Sequence, residues 1–479
     1  MSQVFHTRCV FRSLPVVALL FALSAHAQVP PVLTREAFVR IVLDNHPMAR
    51  QAALREELGA ASVRSARGGF DPMATANYDE KRFDEKNYFQ LFDAGLKVPT
   101  WYGIDLFAGF EENTGDFLNP QNNTPTDGLL KVGGSISLGQ GLFIDQRRAT
   151  LRQAQAYQRA AEAERILLLN DLLLQALNDH TDWVAAYRAL QVSDTDVALA
   201  SIRLEAVRGS WRGGDRPAID TLEAYIQFQD RQMRQQQAAL NFRNAALRLS
   251  NHLWDDAERP LELAPTVRPD PTDLFSPVAI LLNEPMIDEV IAVHPQLAQV
   301  TARIDQLDVA RRLRTEMLKP ELDVKYHWLG DGGALRNEAG VDLLQQGHQF
   351  GVGFQVPLLL RRERGELALA RLRLTDAGLG LERDRLRIRN RIRERINDIN
   401  TFADQVQLGA DMVVNNERLL FGENQRFSAG ESSLFLVNAR EVPLIDTRIR
   451  QVELVARLRK AYFNLDHEAG TLWQAWQNR

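Results

Sequence analysis

Apolar residues recur at alternating three- and four-residue steps through two long stretches of the chain. In the first, Ile166, Leu169, Leu173, Ala176, His180, Trp183, Tyr187 and Leu190 keep the alternation strictly; in the second, Ile392, Ile396, Ile399, Ala403, Val406, Ala410 and Val413 do so. This spacing is that of a coiled-coil seam and predicts two helices of more than sixty residues, beginning near Ile144 and Leu360. At 1.5 Å per residue each would be roughly 100 Å long, too long to lie inside one globular core. Both patterns stop at glycine, in "VRGSWRGGDRPAID" and "NQRFSAGESSLFLVNA", and resume for about 35 residues. Two helical hairpins are the expected result, with Gly214 and Gly430 supplying the left-handed conformation of a tight reversal.

The two hairpins belong to a duplication. Glu36 matches Glu284, His46-Pro47 matches His294-Pro295, and Pro72 matches Pro320 at an offset of 248; Leu142, Arg148, Leu151, Ala154, Trp211 and Gly214 match Leu358, Arg364, Leu367, Ala370, Phe427 and Gly430 at an offset of 216. Copy one therefore carries about 32 extra residues between Pro72 and Gly141. Each copy opens with a predicted helix of about 34 residues, and the opening and returning helices of copy one together match the length of the long helix. Stacked end to end, they would flank it.

Between the opening helix and the long helix the period changes to two. Leu130, Val132, Ile136 and Leu138 alternate with Lys131, Gly133, Ser135 and Ser137; Leu322, Val324, Tyr326 and Trp328 alternate with Asp323, Lys325 and His327; Phe350, Val352, Phe354 and Val356 alternate with Gly351, Gly353 and Gln355. One apolar and one polar face is the pattern of an antiparallel sheet between two different surroundings, as in a barrel between lipid and water. An open edge is not tolerated in lipid, so a barrel must close. Two strands per copy would give four per chain, hence eight in a dimer and twelve in a trimer; the latter is wide enough for an aqueous lumen. The surplus in copy one also alternates at Ile104, Leu106, Ala108 and Phe110, and is either a lengthened strand or an added hairpin across residues 86–114.

Composition narrows the setting. His6, Arg8 and Arg12 precede the apolar run Leu14 to Leu23, and Ala25-His26-Ala27 fits a small-x-small cleavage site, so residues 1–27 read as a secretory signal peptide. The only cysteine, Cys9, lies in that segment, which leaves no disulfide framework or Cys-based metal site. No later stretch approaches the roughly 18 apolar residues of a spanning helix. The formal charge of −5, about −7 without Arg8 and Arg12, gives no support to nucleic-acid binding. The remaining boundaries follow from the duplication: helix 28–71, strands 72–141, hairpin 142–252, linker 253–283, helix 284–319, strands 320–358 and hairpin 359–479.

No catalytic motif emerges: "GVGF" lacks the third glycine of a dinucleotide loop, and G-x-S-x-G and H-E-x-x-H are missing. The chain does not read as an enzyme, and no cofactor or metal is expected. His180 reads as a packed polar residue of the seam, and His46-Pro47 and His294-Pro295 as helix starts. The arginines of "RLRIRNRIRER" are scattered round a helix among Glu382, Asp384 and Glu394, and read as an ion-paired surface.

A strand ending in "LGQGLF" or "QVPLLL" before each long helix, and an aromatic-x-x-Gly turn ("WRGG", "FSAG") before each returning helix, complete the pattern. In duplicate and behind a signal peptide, they resemble the TolC-like outer-membrane efflux channel family over nearly the whole mature chain. The resemblance implies a mainly α fold with a β membrane part. Duplicated long hairpins would form a periplasmic α-barrel, and four or more strands per chain would enter a shared trimeric β-barrel. It implies an outer-membrane homotrimer with a long periplasmic extension, serving as a passive duct of a tripartite efflux or type I secretion system. Its partners would be a periplasmic adaptor, an inner-membrane transporter and outer-membrane lipid; the exported compound is left open. Carried onto this chain, the turns Trp211, Gly213, Gly214, Asp215 and Phe427, Gly430, Glu431 would form the entrance and contact the adaptor. Asp220 falls where the family often has an acid that ties the first hairpin shut, with Glu223 nearby. Phe427 and Ser432 fall where a well-studied member has a tyrosine and an arginine of the closing network, and Phe435 and Asn438 fall near its acidic pair. The reading of the residues alone keeps a second possibility open, a soluble periplasmic coiled-coil scaffold with an ordinary sheet.

Overall fold

The computed structural model describes residues 30–275, 284–332 and 347–477; the expected signal segment 1–27, with Cys9, lies outside them. Repeat one comprises β1 (Val32–Leu33), α1 (Arg35–Asn45), α2 (Pro47–Arg67), β2 (Met73–Phe83), β3 (Lys86–Pro99), β4 (Ile104–Thr114), β5 (Leu129–Ser137), α3 (Gln146–Arg212) and α4 (Ala218–Ser250). The linker carries β6 (Arg268–Pro269), which pairs in parallel with β1. Repeat two comprises α5 (Glu284–Ala292), α6 (Pro295–Glu316), β7 (Glu321–Asp331), β8 (Gly347–Gln355), α7 (Arg361–Ser428) and α8 (Leu434–Glu468), followed by α9 (Leu472–Gln477).

The long helices run 67 and 68 residues. In contrast, the opening helix of each repeat is not continuous but breaks into two. Proline disfavours helical backbone in the residue before it and has no N–H to donate. His46 and His294 are accordingly extended, at ψ 133° and 127°, and each caps the next helix. Their Nδ1 atoms accept from the N–H of Met48 and Gln296, both at 3.1 Å. The duplicated His-Pro pair is thus an N-cap followed by a first-turn proline.

Along one side of α3 lie α2 and then α4, and along the other lie α6 and then α8; α7 packs on both α6 and α8. Two tiers of four helices result, α2-α3-α6-α7 and α4-α3-α8-α7, with α7 at one edge throughout. Seam residues Leu169, Leu173, Ala176, His180 and Trp183 are buried, as are Ile392 and Ile399, whereas Ala403 is exposed. Midway along α3, Leu173, Ala176 and Trp183 join a girdle formed by Leu33, Phe38, Val42, Leu249, Leu253, Leu263, Phe463 and Leu472, while Ile392 and Ile399 belong to a second cluster with Ile287, Ile291 and Leu465. Full burial contributes roughly 1.5–3 kcal/mol for each large apolar side chain, so this girdle is the main anchor between the tiers. The arginine run is ion-paired: Arg393 holds Glu284 through Nε and Nη2 at 3.0 and 2.8 Å, Arg389 meets Asp288, and Ile388 and Ile392 point into the core.

The strands form one antiparallel sheet in the order β2-β3-β4-β5-β7-β8. Copy one supplies four strands, not two, because residues 86–114 form the added pair β3 and β4. The turn before β3 is made by Asp84 and Glu85, both at positive φ (52° and 57°), which is a two-residue reversal of the type that matches strand twist. Register carries the alternation across all six strands, since opposite residues share a face. Ala76, Ala94, Phe110, Leu130 and Gly330 form one such row; Ala74, Leu96, Ala108, Val132, Trp328 and His348 form the next. The reverse face is mainly polar, with Leu91, Phe107 and Leu329 among its apolar exceptions. There Lys97 Nζ meets Asp105 at 3.0 Å, Asn77 donates to Asp93 at 3.1 Å, Lys131 pairs with Glu111, and Ser137 donates to Asp323. Among the described residues β2 and β8 are paired on one side only.

Candidate functional site at the hairpin tips

Both hairpins turn through the same backbone device. In tip one, Asp215 N–H donates to Ser210 O and Gly214 N–H to Trp211 O, each at 3.0 Å; in tip two, Glu431 N–H donates to Arg426 O at 2.9 Å and Gly430 N–H to Phe427 O at 3.1 Å. This pair of bonds closes a helix whose terminal residue is left-handed. Gly214 and Gly430 stand at φ +82° and +80°, and a Cβ at either would meet nothing within 4 Å. Glycine is there for its backbone, not for space. Gly213 ends α3, its N–H donating to Gly209 O, and Pro217 and Ser433 precede the returning helices.

The side chains differ between the tips. Trp211, Gly213, Gly214, Asp215, Gly430 and Glu431 are exposed at the ends of the hairpins. Asp220, in the first turn of α4, accepts from Arg216 Nη1 at 3.4 Å. The same guanidinium lies 4.7 Å from the centre of the Phe427 ring, a cation–π contact that joins the two hairpins. Arg216 is thus central to the tip contact, yet nothing in the pattern of the sequence singles it out. Phe427 itself packs beside Leu204, Val207, Ala224 and Leu434. Ser432 donates to Glu423, a carboxylate almost wholly buried, which Arg440 approaches to 3.7 Å.

About three turns inward, the hairpins are joined by charge. Asn438 is buried; its Nδ2 donates to Glu223 at 3.5 Å and its Oδ1 accepts from Arg203 Nη1 at 3.0 Å. Arg203 also donates to Glu441 at 3.0 Å, Glu441 accepts from Arg231 at 2.8 Å, and Arg231 pairs with Asp196. Arg231, Asp196 and Glu441 are each at most 5% exposed, so this is an interior ion cluster linking α3 and α4 to α8. Burial raises the pKa of Asp196 even with Arg231 beside it. Phe435, by contrast, is exposed and stands apart from Asn438's contacts. The structure therefore links Asp220 to Phe427 through Arg216 and joins Glu223 to Asn438, and it adds Arg203, Arg231, Asp196 and Glu441; apart from Arg216–Asp220, these contacts span more than 30 residues of chain or the two repeats. Their signal in the sequence was faint: charged residues within otherwise apolar-periodic helices.

Among the described residues, no His, Cys, Asp or Glu cluster of three is placed to hold a metal, and no helix is long and apolar enough to cross a membrane. His180 is buried, stacked on Phe38 with ring centres 5.3 Å apart.

No family model matches the chain, and no curated protein matches it in sequence. Solved structures do. The MtrE outer membrane channel of Neisseria gonorrhoeae, in its open state, superposes with a TM-score of 0.64 at 14% identity over 91% of this chain and 89% of that one. The outer membrane protein VceC of Vibrio cholerae gives 0.61 at 14% over 90% and 95%, and the CmeC outer membrane channel of Campylobacter jejuni 0.59 at 13% over 91% and 85%. The chain has the mainly helical, sheet-tipped fold of these channels.

Proposed function

We propose that this chain, built on the fold of TolC-like outer-membrane channels, is the subunit of a homotrimeric passive export duct in the outer membrane. Its helices line a periplasmic tunnel, and its hairpin tips form the gated entrance and the docking surface for a periplasmic adaptor and an inner-membrane transporter. The observation that carries this reading is a pair of complementary edges. At one edge α4 exposes Ile219, Ile226, Met233, Leu240 and Leu247, spaced seven residues apart, and α2 exposes Leu54 and Leu58. At the other, α7 exposes Leu372, Leu379 and Leu386, and further down Met412, Val414, Leu419 and Phe421. The sheet has its single-sided strands on the same two edges, β2 after α2 and β8 before α7. Apolar seven-residue stripes seek a partner helix, and different patches on opposite edges make head-to-tail contacts, which close into a ring.

The apolar face of the sheet supports a membrane setting over the soluble scaffold: Leu96, Leu106, Trp328, Phe350, Val352 and Phe354 are all more than a third exposed in the isolated chain. The test pairs location with conduction. The native protein is expected to stay with outer membranes through an alkaline carbonate wash, to migrate as three copies in detergent, and to conduct in planar bilayers. Met233→Asp, which puts a charge into the α4 stripe, is expected to reduce the trimer fraction at least tenfold. A protein that washes off as a folded monomer ends the duct reading.

A further inference from the structure

The sheet is wider than a plan of two strands per repeat requires, and its extra pair is built as wall. β3 and β4 present Ala94, Leu96, Leu106 and Ala108 to the apolar face in unbroken register with β5 and β7. On the reverse face Lys97–Asp105 and Glu111–Lys131 continue the polar lining from β3 through β4 to β5. A hairpin that folded into the lumen or lay outside the barrel would have no use for one apolar and one polar face. Circumference points the same way. With strands ~4.8 Å apart and tilted by about 40°, six strands span roughly 38 Å of barrel wall, whereas four span about 25 Å. The tier nearest the sheet, α2-α3-α6-α7, holds four helices, which at ~9–10 Å between axes span roughly 36–40 Å. Six strands therefore match the arc of the helices that carry them; four would have to funnel inward.

We infer that every chain puts all six strands into the barrel, so that the trimer closes an eighteen-stranded wall as wide as its helical tunnel. This rests on the duct reading above. The backbone radius would be about 18 Å, against about 12 Å for twelve strands, which is porin scale. A barrel of this width does not screen by size anything that the tunnel admits. Substrates up to about 2 nm across, polypeptides included, are then selected at the hairpin tips alone.

Since Cys9 is the only cysteine and lies in the signal segment, engineered pairs report cleanly. In native membranes, Gly109→Cys with Lys131→Cys, which are register partners on β4 and β5, is expected to cross-link within a chain. Thr75→Cys or Asn77→Cys on β2, combined with Gly351→Cys or Gly353→Cys on β8, is expected to cross-link between chains into covalent trimers. Trimers that conduct but lack either linkage overturn the eighteen-stranded wall and leave the duct intact. Loss of trimer and conduction together in the cysteine-free protein would instead count against the duct itself. As a second reading of width, deleting residues 86–125 restores the two-strand plan of repeat two. Polymer partitioning from the extracellular side is expected to show a clearly smaller cut-off in that variant, and an unchanged cut-off would overturn the inference.

Discussion

At the scale of single residues, Arg216, paired with Asp220 in its own tip, reaches the other tip through the face of Phe427. A cation–π contact contributes about 0.5–2 kcal/mol, enough to shift an opening equilibrium roughly two- to thirtyfold per contact. Arg216→Ala is therefore expected to raise the open probability in planar bilayers, Phe427→Leu to do the same, and Arg216→Lys to restore part of the closure. Unchanged gating in all three would remove Arg216 from the closing contact. His180 has a different consequence. Burial, with the positive charge of Arg35 nearby, lowers its pKa to about 3 from an ordinary 6.5. The folded chain thus binds this proton less readily than the unfolded chain. Stability is complete above about pH 6.5 and declines as pH falls towards 3, by on the order of 1 kcal/mol per pH unit. Thermal unfolding of His180→Gln between pH 6.5 and 4 is expected to show a shallower decline than the native protein; parallel slopes would contradict it. Gly214 and Gly430 were legible as turn residues because a helical period stopped at them. Arg216 was not, because its partner Phe427 lies in the other repeat.

Among the elements, the long helices are locally determined and their association is not. A seam of Leu, Ile and Ala says which side of α3 is buried, whereas the ion cluster Arg231–Asp196–Glu441 says how α4 and α8 are aligned upon it. Removing one member leaves charge in a low-dielectric interior. Arg231→Ala is expected to destabilise the hairpin region by about 3–5 kcal/mol, and replacing all three residues by apolar ones of similar size to recover most of that, as judged by chemical unfolding. A small effect of the single change would mean that water reaches the cluster. Two departures from the expected elements have plain causes. The opening helices break at His46 and His294 because proline follows, a local rule that the apolar spacing on either side conceals. The β2–β3 turn uses Asp84-Glu85 in place of glycine or asparagine, so the signature of a two-residue hairpin is missing.

In the whole molecule, one edge (β2, α2, α4) and the other (β8, α7) face away from each other, and neither is satisfied within the chain. Both edges are therefore left open in the single chain, as the proposed duct requires of its subunit. The duplication was legible because two stretches of sequence can be compared directly; the change of period from 3.5 to 2, the glycine breaks and the two-faced strands were legible because each depends on neighbours within a few residues. Tertiary structure alone decided that residues 86–114 join the sheet as two strands, that Arg216 meets Phe427, and that Arg231 sits between Asp196 and Glu441. The physical reason is the same in each case: periodicity tells which face of an element avoids water, but a face has many possible partners. The choice among them is made by register, charge and arc length between segments as many as two hundred residues apart.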